Sequence, residues 1–112
     1  MSFEGIWKVE MMGPYGWEAV ATAFMQQGKY FAAGLDHHSV GVYEEDGENI
    51  KIKSQVTQQG KARTVFGETK KRFDAQFEGE LKKPGKIVGV SHPTDNRSFA
   101  IKVRMKQLAE LE

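Results

Sequence analysis

The sequence predicts an all-β fold: residues 1–112 form a single domain, one antiparallel up-and-down β-barrel of about eight strands with little helix. Three observations favour this fold. Apolar and polar residues alternate with a period of two along most of the chain, as in strands with one buried face. Turn sequences separate the alternating runs at intervals of roughly 8–12 residues. A meander of this length leaves two unpaired edges unless it closes, so we expect a barrel.

The alternating runs and the turns follow one another in order. The clearest runs span residues 3–10, 17–25, 50–56, 73–81 and 99–106. Between them lie the turn sequences GPYG, QQGK, EDGEN, a second QQGK, KPGK and HPTDN, in which Gly and Pro supply the backbone angles of tight turns. Three glycines lie inside predicted strands, at Gly41, Gly79 and Gly89, where a sheet bends sharply or tolerates a close neighbour.

The composition excludes several classes of function. The formal net charge is +1, from 16 Lys and Arg against 15 Asp and Glu, whereas nucleic-acid binding depends on a basic excess. No apolar run is long enough to span a membrane, and charged residues interrupt the N-terminus where a signal peptide would be apolar. The chain has no cysteine, which suits a cytoplasmic protein and excludes thiolate chemistry. We therefore expect a cytoplasmic protein that binds neither nucleic acid nor membrane.

Residues suited to catalysis or metal binding are few. His37 and His38 are adjacent, and neighbouring residues of a strand point to opposite faces, so we expect no metal there. The same alternation separates Ser91 from His92, and no serine lies in a nucleophile elbow. Two carboxylates are loose candidates for a facing pair, although no pattern supports them: Asp36 and Glu68. The sequence thus predicts no cofactor and a protein that is not an enzyme.

A stripe of alanines is the most informative feature of the second run. Ala19, Ala21 and Ala23 lie on one face between Trp17 and Met25. If this face points inward, the lumen is under-filled and accepts a small apolar ligand. The residues lining such a cavity would be Trp17, Ala19, Ala21, Phe77 and Phe99.

Two other interpretations of the stripe stay open. In one, Val20 and Phe24 point inward, and the alanines lie outside against a dimer partner or a covering segment. In the other, large side chains on facing strands fill the lumen, as in an ordinary barrel core. Those side chains would be Phe73, Phe77 and Phe99.

The first run contains Gly5-Ile6-Trp7 and resembles the N-terminal Gly-X-Trp signature of calycins, the small β-barrels that include lipocalins. The resemblance implies that Trp7 packs across one end of the barrel under a basic side chain of the last strand, for which Arg104 or Arg97 is suitable. Independently of the family, Gly5 lets the backbone pass close to a bulky ring, and Trp7 fills an end that smaller residues leave open.

A second resemblance covers most of the chain at low identity. Four motifs carry it: Ala33-Gly34-Leu35-Asp36, Gly41-Val42-Tyr43, the acidic hairpin Glu44–Glu48, and Phe66-Gly67. In this order they are similar to the GrlR-like family of small bacterial proteins, whose founding members are negative regulators of type III secretion genes. The resemblance implies a calycin-like barrel, often a homodimer, without enzymatic activity.

The same family implies a protein partner. In its founding regulators an exposed Glu-Asp-Glu-Asp stretch is implicated in binding a transcriptional activator, and Glu45, Asp46 and Glu48 match its first, second and fourth positions. Gly47 departs at the third position, and Asp-Gly is also a favourable hairpin corner without any partner. The sequence therefore predicts a regulator acting through protein–protein contacts, with a binder or sensor of a small hydrophobic ligand as the alternative.

Overall fold

The computed structural model describes residues 3–34, 37–58 and 72–110. It confirms the predicted all-β fold, because eight antiparallel strands pair in sequence order and β1 closes the barrel against β8. The strands are β1 (Gly5–Gly13), β2 (Gly16–Gln26), β3 (Lys29–Ala33), β4 (His37–Asp46), β5 (Asn49–Gln58), β6 (Arg72–Lys83), β7 (Lys86–Pro93) and β8 (Ile101–Ala109). In the three described ranges no helix is long and apolar enough to cross a membrane.

Tight hairpins join most of the strands, as the turn sequences predict. Between β2 and β3, Gln27 and Gly28 both have positive φ, 51° and 78°, which is the backbone of a type I′ turn whose twist matches the flanking strands. The N–H of Gln27 also donates to the Glu4 carboxylate at 2.9 Å. The second QQGK sequence begins at the end of β5 and continues outside the described residues.

The glycines inside strands lie where neighbouring backbones approach closely, as predicted. A Cβ on Gly41 would collide with the carbonyl oxygen of Lys53 and lie 2.6 Å from the Cα of Ser54. Gly79 and Gly89 face each other across β6 and β7, and a Cβ on Gly89 would lie 2.6 Å from the Cα of Gly79. Any side chain at Gly41 or Gly89 would therefore force the strands apart.

The barrel interior is densely packed at the end where β1 begins. Trp7 is fully buried, and its indole N–H donates to the carbonyl of Phe3 at 2.9 Å. Trp7 lies directly opposite Ala23, which is also fully buried, so the small alanine leaves room for the indole. We call this region the packed half; its large buried side chains are Phe3, Trp7, Met25, Tyr30, Tyr43, Ile50, Leu81, Ile87 and Met105.

The prediction that Trp17 and Ala19 share a face with Ala23 is wrong. Val9 pairs with Ala21 but its neighbour Glu10 pairs with Ala19, so β2 contains one extra residue at a β-bulge. A shift of one residue exchanges the two faces of a strand. Ala19 is consequently exposed, whereas Ala21 packs against the core.

Of the three residues predicted at the barrel end, Gly5 and Arg104 have neighbours other than those expected. Gly5 gives room to the β8 backbone, since a Cβ there would collide with the carbonyl oxygen of Ala109. Trp7 is buried as expected. Arg104, however, lies 4.3 Å above the ring of Trp17 and donates from Nε to Glu10 at 2.9 Å. Arg104 therefore connects the outer surfaces of β8, β1 and β2, and the tryptophan that it covers is Trp17 rather than Trp7.

Candidate binding surfaces

The outer surface of β2, β3 and β4 carries a row of large apolar side chains. Phe24 pairs with Phe31, and Phe31 pairs with Val40, so the three are direct neighbours across the sheet. Their exposed fractions are 37%, 45% and 46%, and that of Val42 on the same face of β4 is 54%. We call these four residues the apolar shelf. Side chains this exposed add little to the core, and contiguous apolar surface of this kind marks contact sites.

The acidic hairpin continues directly from this shelf. Along β4 the outward positions alternate, so Val40 and Val42 are followed on the same face by Glu44 and Asp46. The predicted partner-binding residues Glu45, Asp46 and Glu48 are all exposed.

The backbone of the hairpin is held in place. The carbonyl of Glu48 accepts a hydrogen bond from the N–H of Leu81 at 2.7 Å. Gly47, with φ of 64°, supplies the positive φ of the corner. The hairpin thus presents its carboxylates on a fixed backbone.

Tyr43 lies beneath the shelf and reports the local charge. Burial raises the pKa of its hydroxyl, and the carboxylates of Glu45 and Glu4 raise it further, while a hydrogen bond with Gly28 opposes them. The carboxylates of Glu4 and Glu45 therefore lie close enough to influence this hydroxyl. Exposed lysines lie on the neighbouring strand, since Lys51 pairs with Glu44 and Lys53 pairs with Val42.

The five residues predicted to line a ligand cavity do not come together. Phe77 is buried in the core, and Ala21 packs against it. Trp17 lies under Arg104 on the outer surface, and Ala19 is exposed there. Phe99 is 37% exposed in the connection between β7 and β8.

Some inward positions away from the packed half nevertheless carry small side chains. They are Ala21, Ala32, Ser39, Ser54, Ala75 and Ser91, and we call this region the small-residue half. Tyr30 is buried at its border, where burial raises the pKa of its hydroxyl to about 12 and a hydrogen bond with Ser39 opposes that shift. The interior here mixes small and hydroxyl-bearing side chains with larger ones, since Ser91 pairs with both Phe77 and Ile101.

The residues considered for catalysis or metal binding form no site in the described ranges. No group of three or more His, Cys, Asp or Glu residues there is arranged to hold a metal ion. Ser91 pairs with the inward-facing Phe77 and His92 with Gln76 on the other face, and His92 Nδ1 lies 2.7 Å from the carbonyl oxygen of Pro93. The loosely suggested carboxylates Asp36 and Glu68 lie outside the described residues.

Sequence reasoning did not identify Phe24 and Phe31 as surface residues. Each is flanked by residues that are apolar as well, Ala23 and Met25 around one, Tyr30 and Ala32 around the other, so alternation did not show which face is buried. The burial of Trp7 could have decided the question. A small residue must lie opposite the indole, so Ala23 faces inward and Phe24, its neighbour in the strand, faces outward.

The comparisons with known proteins leave the family open. No family model matches the chain. No curated protein matches it closely enough to be counted as a relative.

Proposed function

We propose that this chain is a non-enzymatic bacterial protein that acts by binding another protein through the apolar shelf and the acidic hairpin. One observation carries the proposal: on the outer face of β4, two exposed valines of the shelf run directly into two carboxylates of the hairpin. An apolar centre bordered by charge is the usual arrangement of a protein-binding surface.

The chemistry of the partner follows from this arrangement. The exposed parts of the four shelf side chains amount to on the order of 300 Å² of apolar surface, enough for the centre of an interface but not for all of it. Lys51 lies opposite Glu44, so the unbalanced carboxylates are those at the tip of the acidic hairpin. They favour a partner with Lys or Arg beside its own apolar residues, because opposite charges speed association and exclude acidic competitors.

The resemblance to GrlR-like regulators makes the proposal more specific. A regulator of that kind would be cytoplasmic and would bind a transcriptional activator, with Glu45, Asp46 and Glu48 among the contacts. The same resemblance suggests a homodimer, for which the shelf is the available apolar surface. These details depend on the resemblance, whereas the basic, apolar character of the partner depends on the surface itself.

Two peptides of defined chemistry test the proposed surface. Both carry the same apolar residues, and one is flanked by Lys and Arg while the other is flanked by Asp and Glu. We expect the basic peptide to bind more tightly, with an affinity that falls as salt is added. A variant with Glu45→Gln, Asp46→Asn and Glu48→Gln should lose this salt dependence, and Phe31→Ser should weaken binding of the basic peptide.

The matched control is Lys102→Gln, an exposed charge change on β8, away from the shelf. Equal binding of the two peptides, or unchanged binding by the neutralised hairpin and by Phe31→Ser, would contradict the proposal. Light scattering of the native chain and of Phe31→Ser separately tests the homodimer: a dimer through the shelf should dissociate in the variant.

A binder of a small hydrophobic ligand is the second candidate function. The observation that favours it is the small-residue half of the interior, where Ala32, Ser39 and Ala75 are buried and face the lumen. Native mass spectrometry of the purified protein, together with an apolar fluorescent dye, tests this candidate. A bound apolar molecule or a saturable dye signal supports it, and the absence of both contradicts it. Ala32→Phe should fill the space and abolish the signal.

A further inference from the structure

A polar cleft on the outer surface of β5 and β6 adjoins the apolar shelf. Its volume is about 320 Å³, and its lining includes Lys53, Gln55, Asp74, Gln76 and Thr94. On the two strands these side chains are direct neighbours, because Lys53 pairs with Gln76 and Gln55 pairs with Asp74. The volume is near the lower limit for small-molecule sites, which favours a ligand the size of one ring.

The connection after β7 forms the third wall of this cleft and is fixed in two places. The N–H of Thr94 donates to the carbonyl of Asp74 at 2.9 Å. Arg97 lies 3.9 Å from the carboxylate of Glu78 on β6, the strand that also carries Asp74. Turn hydrogen bonds from Asn96 to Pro93 and from Phe99 to Asn96 order the rest of the connection. The wall is therefore part of the folded structure rather than a loose loop over a solvated sheet.

The charges in the cleft are balanced and separated. Lys53 and Asp74 carry opposite charges, and within the described part of the chain neither forms an ion pair. They are diagonal neighbours, roughly 7–8 Å apart at Cα in an antiparallel sheet, with the two carboxamides between them. A site without net charge favours neither an anion nor a cation, but it offers hydrogen-bond donors and acceptors on every side.

The neighbouring strand adds an apolar border. Val40 pairs with Gln55, and Val42 pairs with Lys53, and both valines are about half exposed, at 46% and 54%. A sugar ring combines an edge of hydroxyl groups, each both donor and acceptor, with a face of C–H groups. We infer that this cleft binds a neutral, hydroxyl-rich small molecule, such as a single sugar ring, with its polar edge toward Gln55 and Gln76.

An NMR titration that resolves individual amides tests this inference, because the side-chain N–H₂ groups of Gln55 and Gln76 are direct reporters. The probes are a panel of neutral mono- and disaccharides, with inorganic phosphate and arginine as charged alternatives. We expect saturable shifts at these groups and at Thr94 with at least one neutral sugar. The dissociation constant should be about millimolar, because the cleft is open to solvent.

The double variant Gln55→Ala/Gln76→Ala should weaken binding about tenfold or more, since it removes both carboxamides. Gln26→Ala, an exposed Gln on β2, is the matched control and should bind like the native chain. A dispersed spectrum shows that each variant is folded. If the double variant does not fold, the single variant Gln76→Glu replaces it in the titration. No saturable shift with any sugar, tighter binding of phosphate or arginine, or equal binding by the double variant would overturn the inference.

Discussion

The contact of Arg104 with Glu10 and Trp17 yields a quantitative prediction about barrel closure. Arg104 on β8 donates from Nε to the Glu10 carboxylate on β1 at 2.9 Å and lies 4.3 Å above the Trp17 ring of β2. Replacing Arg104 by Met keeps an unbranched apolar stem against the indole and removes the charge. Because the contact joins the last strand to the first two, its loss should destabilise the closed barrel.

The size of the effect follows from the exposure of the groups. Side-chain exposure is 37% for Arg104 and 18% for Glu10, so solvent weakens the ion pair to about 1 kcal/mol. Stacking of a partly exposed guanidinium on Trp contributes about 0.5–1 kcal/mol. We expect Arg104→Met to lower the free energy of unfolding by about 1.5 kcal/mol. With a typical urea dependence this shifts the midpoint by roughly 1 M.

Urea unfolding of four proteins measures the pairwise term: the native chain, Arg104→Met, Glu10→Gln and the double variant. The coupling energy should be about 1 kcal/mol at neutral pH. The hydrogen bond from Arg104 holds the pKa of Glu10 below its ordinary value of 4.5, with nearby positive charges assisting and burial opposing. A lowered pKa stabilises the fold above the unfolded-state pKa, so the coupling should disappear as the pH falls below 4.5 and Glu10 takes up a proton.

Lys102→Met on the same strand is the control and should change stability by less than about 0.5 kcal/mol. The reasoning is refuted if Arg104→Met is no more destabilising than this control. It is also refuted if the coupling with Glu10 is absent at neutral pH or persists unchanged in acid.

Three further predictions concern single positions in the barrel. Gly41→Ala should destabilise the protein by about 1–3 kcal/mol in urea unfolding, since its Cβ would collide with the Lys53 carbonyl oxygen; native stability would show that β4 and β5 separate freely. Trp7→Phe leaves the buried carbonyl of Phe3 without its 2.9 Å hydrogen bond and opens a small cavity, so we expect a loss of about 2–4 kcal/mol, and a loss below about 1 kcal/mol would argue against this packing. Tyr30 has a pKa raised to about 12 by burial; because the unfolded chain ionises first, near about pH 10, the native protein should lose up to about 2–3 kcal/mol as the pH rises from 10 to 12. Tyr30→Phe should lose less over this interval, and equal alkaline sensitivity of the two proteins would exclude Tyr30 as the cause.

Much of the fold could be predicted from the sequence because each strand carries its own pattern. Alternation in β5, β6 and β8 placed Ile52, Phe77 and Val103 on the inner face, and all three are buried. Gly at turn positions indicated where the hairpins close, since these corners require a positive φ. Local rules of this kind need no knowledge of the neighbouring strands.

The errors arose where one strand depends on another. The bulge in β2 has no marker in the sequence, because Val20 is apolar like its neighbours, and it exchanges the faces of Trp17 and Ala19. Arg104 was expected over the first tryptophan, and the exchanged face brought Trp17 to it instead. Because of this bulge, Trp17 and Ala19, which were expected inside the barrel, lie on its outer surface.

The distribution of charge around the barrel indicates which side is available for binding. Every ion pair that joins two described residues lies on β1, β6, β8 or the connection between β7 and β8: Lys8–Glu10, Arg104–Glu10, Lys82–Glu80 and Arg97–Glu78. On β2 to β5 the outer surface carries exposed Phe and Val side chains beside the carboxylates of the acidic hairpin, together with the exposed lysines Lys29, Lys51 and Lys53. Exposed ion pairs of this kind contribute at most about 1 kcal/mol each, so they disfavour binding on their side of the barrel only weakly. The apolar shelf and the acidic hairpin combine exposed apolar surface with carboxylates that form no ion pair among the described residues, so protein binding is expected on the side from β2 to β5.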